Sequence, residues 1–235
     1  MISVETALEK LFELVKPMTA ETVPIREANG RVLAKDVVAS RDQPPFSTTA
    51  MDGYAIANSE INDGDFFTVI GEAAAGHRFD GVLETGEAVR IFTGAPLPLN
   101  TKRIVIQEDV KRSGNNIIVL SGSDESDYIR PPASDFPAGY KVIGGRKLKP
   151  ADIALLASMN NVSVAVIKRP IVAIITTGDE LVMPGEKPNE DQIVASNTFG
   201  LAALLENNGA IARILPVARD RISSPKAVFD LCAGA

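Results

Sequence analysis

Near the start of the chain, apolar residues recur at helical spacing. Val4, Ala7, Leu8, Leu11, Phe12 and Val15 fall on one stripe, which predicts an amphipathic helix. Ser3 stands where a cap is needed, and Pro17 ends the run. The period then changes. Between Val23 and Ala138, short β-type runs (Phe66–Ile70, Ala88–Phe92, Arg103–Gln107 and Ile117–Leu120) alternate with connections rich in Gly and Pro. That grammar predicts a loop-rich antiparallel β domain, with turns at Asn62-Asp63-Gly64-Asp65 and Ser113-Gly114-Asn115.

Helical spacing returns after Lys149-Pro150, where proline suits a first helical turn and Ile153, Leu155, Leu156 and Met159 form an apolar side. This helix is expected to pack near the first one. From Arg169 the pattern is that of an α/β domain. Ile171–Ile175 is a continuous β-branched run, expected to be a strand buried on both faces. A loop, Thr176–Asn189, follows, then a helix over Asn197–Asn208 with Ser196 as its cap and Gly209 as its stop. A second strand is expected at Ile211–Val217, with a further helix starting near Ser223-Ser224-Pro225.

The fold class that follows is a multidomain α/β and β protein. A helical linker domain (1–22 with 139–168) carries an inserted antiparallel β domain (23–138). The first half, β-α-β-α, of a doubly wound and mostly parallel α/β domain follows (169–235). Two parallel strands leave open sheet edges, so the expectation is a C-terminally truncated chain whose remaining strands lie elsewhere.

Composition narrows the chemistry. The 235 residues are 45% hydrophobic with a formal net charge of −6, giving a normal core and no general basic surface for nucleic acid. No run is long enough to span a bilayer, and the first helix is too polar for a signal peptide, so a cytoplasmic protein is expected. One cysteine, Cys232, excludes an internal disulfide, and one histidine, His77, excludes a His-rich metal centre. A bound metal would have to be held by carboxylates, which favours hard cations such as magnesium.

Several carboxylates stand in informative places. Asp179 and Glu180 follow the first α/β strand and Asp220 follows the second, at the strand ends where open α/β sheets bind ligands. Capping of a turn or helix is the simpler use of Asp179 or Asp220. In Ala50-Met51-Asp52-Gly53-Tyr54-Ala55, Asp-Gly marks a tight turn, with Met51 and Tyr54 as packing residues. Thr93-Gly94-Ala95-Pro96 closes an apolar strand. It reads either as a plain Gly-Pro loop or as a hydroxyl with open N–H groups suited to a phosphate. The Arg130–Asp135 segment reads alone as a proline-rich connector, and His77 as a surface loop residue. Neither a Walker A motif nor GxGxxG is present.

In order along the chain, PPF with TAMDGYA, RIFTGAP with IVIQED, IRPPASD, PIVAIITTGDEL and SNTFGLAALL resemble the molybdopterin molybdenumtransferase family, which includes the enzymatic domain of gephyrin. The resemblance implies an elongated homodimer acting in molybdenum cofactor biosynthesis. It implies adenylylated molybdopterin and molybdate as substrates and Mg2+ as the divalent cation. The cleft would be shared between subunits, and the molybdopterin adenylyltransferase is a further partner; neither nucleic acid nor a membrane is expected. Carried over residue by residue, Asp52, Thr93, Asp135 and Glu180 would be catalytic. Gly94, Gly178, Asp179 and Asp220 would bind the pterin substrate, and Glu180 and Asp220 the metal. Two departures stand out: Ser47-Thr48-Thr49 where the family has an Asp-Asn-Ser type run, and Ala133-Ser134-Asp135 where it has Gly-Glu-Asp. The alternative is a catalytically inactive fragment, or a scaffold of the same fold.

Overall fold

A computed structural model describes residues 2–124, 126–219 and 231–232. The chain opens with helix α1 (Val4–Leu14) and strand β1 (Ala20–Pro24), then passes through β2 (Val37–Val38) and β3 (Thr48–Thr49). Strands β4 (Gly53–Ile56), β5 (Phe66–Ala73), β6 (Glu87–Ile91) and β7 (Arg103–Ile106) follow. Next come β8 (Val110–Ser113), β9 (Asn116–Val119), β10 (Ile129–Arg130) and β11 (Lys141–Val142). The last part holds α2 (Pro150–Ser158), β12 (Ser163–Ile167), β13 (Ile171–Ile174), β14 (Leu181–Val182) and β15 (Ile193–Val194), then α3 (Asn197–Asn207) and β16 (Ile211–Ile214). Two compact units result: residues 38–142, and residues 1–37 with 143–235.

In the discontinuous unit, β1 pairs antiparallel with β12, from Ala20 opposite Ile167 to Pro24 opposite Ser163. Val23, Leu33, Val164 and Val166 are buried there. Residues 23–37 therefore belong to this unit, and the inserted unit begins later than the apolar runs predict. The strand β1 is too short and too polar to announce itself by alternation. Arg31, 9% exposed, forms an ion pair with Glu21 and donates from Nη2 to the Ile167 carbonyl at 2.9 Å.

Ser3 caps α1 as expected, its hydroxyl accepting the Thr6 N–H. The helix has no buried residue, and α2 rests instead on the 3-10 turn Ile25–Glu27. Pairing of β1 with β12, rather than helix on helix, joins the two stretches of this unit. At the start of α2, the Asp152 carboxylate accepts the Lys149 N–H at 2.8 Å and pairs with Arg146 at 2.8 Å. Asp152→Ala should cost about 1–2 kcal/mol of stability, read from the urea unfolding midpoint, through loss of this cap.

The α/β part is a β-α-β unit. β13 and β16 run parallel, Ile171 opposite Ile211 to Ile174 opposite Ile214, and α3 packs on both. Among the described residues β13 pairs with one strand only, so Ile171 stays 41% exposed, and burial on both faces is not seen. β16 stops short of Val217 because Pro216 has no N–H to give the ladder. Pairing resumes at the bridge between Thr177 and Ala218. Gly209 ends α3 at φ 91°, as expected. Ser196, itself helical in conformation, makes no side-chain cap; its carbonyl accepts from Phe199 and Gly200 instead. The helix expected near Ser223 lies outside the described residues.

The inserted unit is built on a six-stranded sheet of order β7-β4-β6-β5-β9-β8. It is mixed rather than antiparallel, because β5 and β6 run parallel, with a register irregularity between Val69 and Gly71. The connection over residues 74–86 is long enough for such a return, which a hairpin turn is not. Both faces are covered. Tyr54, Ile56, Phe67, Val105 and Ile117 fill one side, while Ala55, Val89, Ile91, Ala95 and Ile104 fill the other. Every residue of β4 is buried in consequence.

Candidate active-site residues in each unit

The two-residue strand β3 organises the inserted unit's motifs. On one side it pairs with β10, Thr48 opposite Arg130 and Thr49 opposite Ile129. On the other it meets the TGAP loop: Thr49 N–H donates to the Ala95 carbonyl, and the Thr49 carbonyl accepts the Gly94 N–H at 3.0 Å. Ala50 N–H then donates to the Tyr128 carbonyl. One short strand thus ties TAMDGYA, TGAP and IRPPASD together. The Ser47-Thr48-Thr49 run lies at this junction, with Thr48 and Thr49 both buried. The Thr49 hydroxyl is spent locally, donating to the Met51 carbonyl and accepting its N–H.

Asp52 and Thr93 meet directly. Asp52 Oδ1 accepts the Thr93 backbone N–H at 2.7 Å and the Thr93 hydroxyl at 2.7 Å. These two bonds, first the backbone one, hold the Asp52 carboxyl below its ordinary value against an opposing desolvation, and the nearby Arg90 charge adds a lesser lowering. Among the described residues, no hydrogen bond reaches Asp52 Oδ2.

The TGAP loop does not offer open N–H groups. Thr93 N–H goes to Asp52, Gly94 N–H to Thr49, and Ala95 N–H to the Phe92 carbonyl. What the loop presents is a carboxylate fixed by a hydroxyl, so a phosphate would have to be met through a cation or water. Gly94 is required for its φ of 80°. Gly53 is not a turn glycine at all. It begins β4, and a Cβ there would strike the Val105 carbonyl oxygen of β7. Tyr54 is buried as predicted, whereas Met51 is 40% exposed.

Asp135 is held by its own loop. Arg130 Nη2 donates to Asp135 Oδ1 at 3.0 Å, and the Asp135 N–H donates to the Gln43 carbonyl. Both side chains are about half exposed, 50% and 51%, so the pair presents the acid to solvent rather than stabilising the fold. Ala133 adopts φ 60°, the left-handed conformation that glycine takes at no cost. Ala133→Gly should therefore raise stability by about 0.5–1 kcal/mol by chemical denaturation, the relief of strain exceeding glycine's extra unfolded entropy.

In the other unit the loop after β13 carries Gly178, Asp179 and Glu180. Gly178 has φ 143°, and a Cβ there would collide with the Glu180 carboxylate, which lies back over it. Gly178 N–H donates to the Ala218 carbonyl at 3.1 Å. Arg219 Nη1 donates to the Asp179 and Leu181 carbonyls at 2.8 and 3.1 Å. That arginine pins the loop from the neighbouring strand end. The Thr176 and Thr198 hydroxyls share a bond at 2.6 Å, linking the strand end to the first turn of α3. Asp220 lies outside the described residues. Among them, no group of three or more His, Cys, Asp or Glu gathers as a metal cage. His77 is exposed in a turn closed by Ala74.

Arg90, which sequence reasoning passed over, is the most heavily engaged side chain beside Asp52. It donates from Nη1 to the Gly53 carbonyl at 3.1 Å and from Nη2 to Gln107 Oε1 at 2.7 Å. Its guanidinium also faces the Tyr54 and Phe92 rings at 5.1 and 4.6 Å. A lone arginine among the apolar residues of Ala88–Phe92 was the available signal.

The architecture defines a class: a β unit inserted into a discontinuous unit that ends in a parallel β-α-β, with a hydroxyl-fixed aspartate in the first and an acidic strand-end loop in the second. The chain belongs to the family described as the MoeA N-terminal region (domain I and II), whose profile matches residues 2–160. It is 34% identical to a molybdopterin molybdenumtransferase of Nostoc, over 94% of this chain and 53% of the relative. The corresponding values for the Haemophilus influenzae enzyme of that name are 32%, 88% and 52%. The chain thus spans about half the length of the curated relatives it matches. A solved molybdopterin biosynthesis MoeA protein from Pyrococcus horikoshii superposes with a TM-score of 0.87 at 33% identity, covering 99% of this chain and 64% of that one.

Proposed function

We propose that the protein takes part in inserting molybdenum from molybdate into adenylylated molybdopterin, with hydrolysis of the adenylate. The observation that carries this reading is the Asp52–Thr93 pair: two motifs 41 residues apart in sequence converge on a single carboxylate oxygen. Names of the relatives, which act in molybdopterin biosynthesis, support the substrate class.

The donor set suits magnesium. All candidates are carboxylates, and magnesium is commonly held by one or two of these together with waters and substrate phosphates, not by a dedicated cage. Glu180 and Asp220 are the proposed ligands. When bound, the cation would offset phosphate charge as the anhydride breaks. The protein's own share is placement. Thr93 fixes the Asp52 carboxylate in its charged form, Asp135 presents a second acid, and Gly178 and Asp179 shape the strand-end loop. The resemblance further suggests a cytoplasmic homodimer.

AMP release from adenylylated molybdopterin on adding molybdate and magnesium tests the proposal. It should be measured for this chain and for this chain continued with the C-terminal part of the Nostoc relative. Molybdate-dependent release by the longer protein is expected. No release from either would overturn the reading.

A further inference from the structure

Thr93 fixes the Asp52 carboxylate, but their mutual bonds alone do not set the spacing of the two loops that carry them. Asp52 lies in an irregular bend between β3 and β4, and Thr93 follows the last residues of β6. Thr93 is exposed and Asp52 half-buried, and two hydrogen bonds at such a position do not by themselves immobilise two loops. Something more rigid has to set their spacing.

Arg90 meets that requirement from β6, directly across from Tyr54 on β4. Its two donating nitrogens engage the backbone at Asp52 and Gly53, one directly and one through Gln107. Nη1 takes the Gly53 carbonyl, one residue after Asp52. Nη2 takes Gln107 Oε1, and the Gln107 backbone N–H in turn donates to the Asp52 carbonyl at 3.1 Å. The Cζ of the same guanidinium lies over the ring of Phe92, the residue before Thr93, at 4.6 Å. Phe92 directly follows β6, two residues beyond Arg90, within reach of its guanidinium. One planar cation is thereby fastened to both ends of the acid–hydroxyl pair.

We propose that Arg90 is a positioning residue: its guanidinium fork and its cation–π contact with Phe92 set the distance and angle at which Thr93 grips Asp52. The inference rests on the proposed function only for its catalytic consequence; the structural claim stands without it. Lysine cannot replace arginine in this role. An ammonium keeps the charge but is a point donor without a planar fork, so it cannot span two acceptors in fixed geometry while lying over the ring.

The test uses the 235-residue chain and the longer protein described above. In the chain, the Thr93 amide should resonate downfield and follow the titration of Asp52 as pH falls. Arg90→Lys should retain the fold by circular dichroism while the Thr93 amide loses its downfield position and its coupling to Asp52. Gln107→Ala, which leaves the Gly53 bond and the Phe92 contact intact, should give a smaller shift in the same direction. In the longer protein, Arg90→Lys should lower kcat for AMP release about tenfold or more with little change in KM. An Arg90→Lys protein with an unchanged Thr93 amide and unchanged kcat would overturn the proposal. If Arg90→Lys fails to fold, Gln107→Ala decides alone, and an unaltered Thr93 amide there refutes it. A shifted amide alongside full activity of Asp52→Asn would preserve the positioning role and sink the functional reading instead.

Discussion

An Asp52→Asn protein, in the longer form, should keep its fold and lose about two orders of magnitude or more in kcat for AMP release. The substitution is close to isosteric. The amide oxygen of the new side chain could still accept the Thr93 N–H and hydroxyl, so the local geometry survives. The loss is the negative charge and the acceptor capacity at Oδ2, the oxygen that no described residue occupies. Uniform binding should change less than turnover, so kcat should fall more than KM rises. Full activity would remove Asp52 from the site.

The pH dependence follows in sign. Asp52 has its pKa lowered by Thr93, so its folded-state preference for the charged form is complete above the ordinary carboxylate value of about 3.9. That preference is lost as pH falls through the lower, folded-state value. Thr93→Ala removes the hydroxyl contribution. Its expected outcome is an Asp52 titration moved back toward the ordinary value, measurable by carboxyl NMR.

The second large effect is structural. Gly53→Ala should destabilise the inserted unit by about 3 kcal/mol or more, read as a shift in the urea midpoint. The new Cβ would meet the Val105 carbonyl oxygen, a backbone atom of the neighbouring strand, and not a side chain that could swing away. Gly53 pairs on both sides, with Ile91 of β6 and Ile106 of β7, so β4 cannot retreat without breaking two ladders. Alanine's better intrinsic fit to a strand returns only about 0.5–1 kcal/mol. An unchanged midpoint would show that β7 can move to admit the methyl, and would remove the steric reason for glycine here. Because Asp52 precedes Gly53, even a folded Gly53→Ala protein should lose activity.

Local pattern, where it carried strong information, determined a good deal. Ser3 and the stripe from Val4 to Val15 specified α1, Lys149-Pro150 opened α2, and Gly209 closed α3, because caps and stops act within one turn of the chain. The apolar runs at Phe66, Ala88, Arg103 and Ile117 marked real strands, since burial on a sheet face leaves a period in the sequence. Motif order pointed to the family, and the identity of the candidate acids came with it.

Pairing is a different kind of information. Nothing local says that β5 runs parallel to β6, that β1 pairs with β12 across more than a hundred residues, or that β3 joins three motifs. Such contacts depend on which distant strand offers its free edge, a choice made by the whole fold. The same reason hid the roles of two residues. Asp52-Gly53 reads as a turn until β7 is placed beside it, and Arg90 reads as a stray charge until Gly53, Gln107 and Phe92 surround it. The sequence determined which side chains are candidates for the chemistry. Only the tertiary structure decided that Thr93 grips Asp52, and that the loop's own N–H groups are already spent.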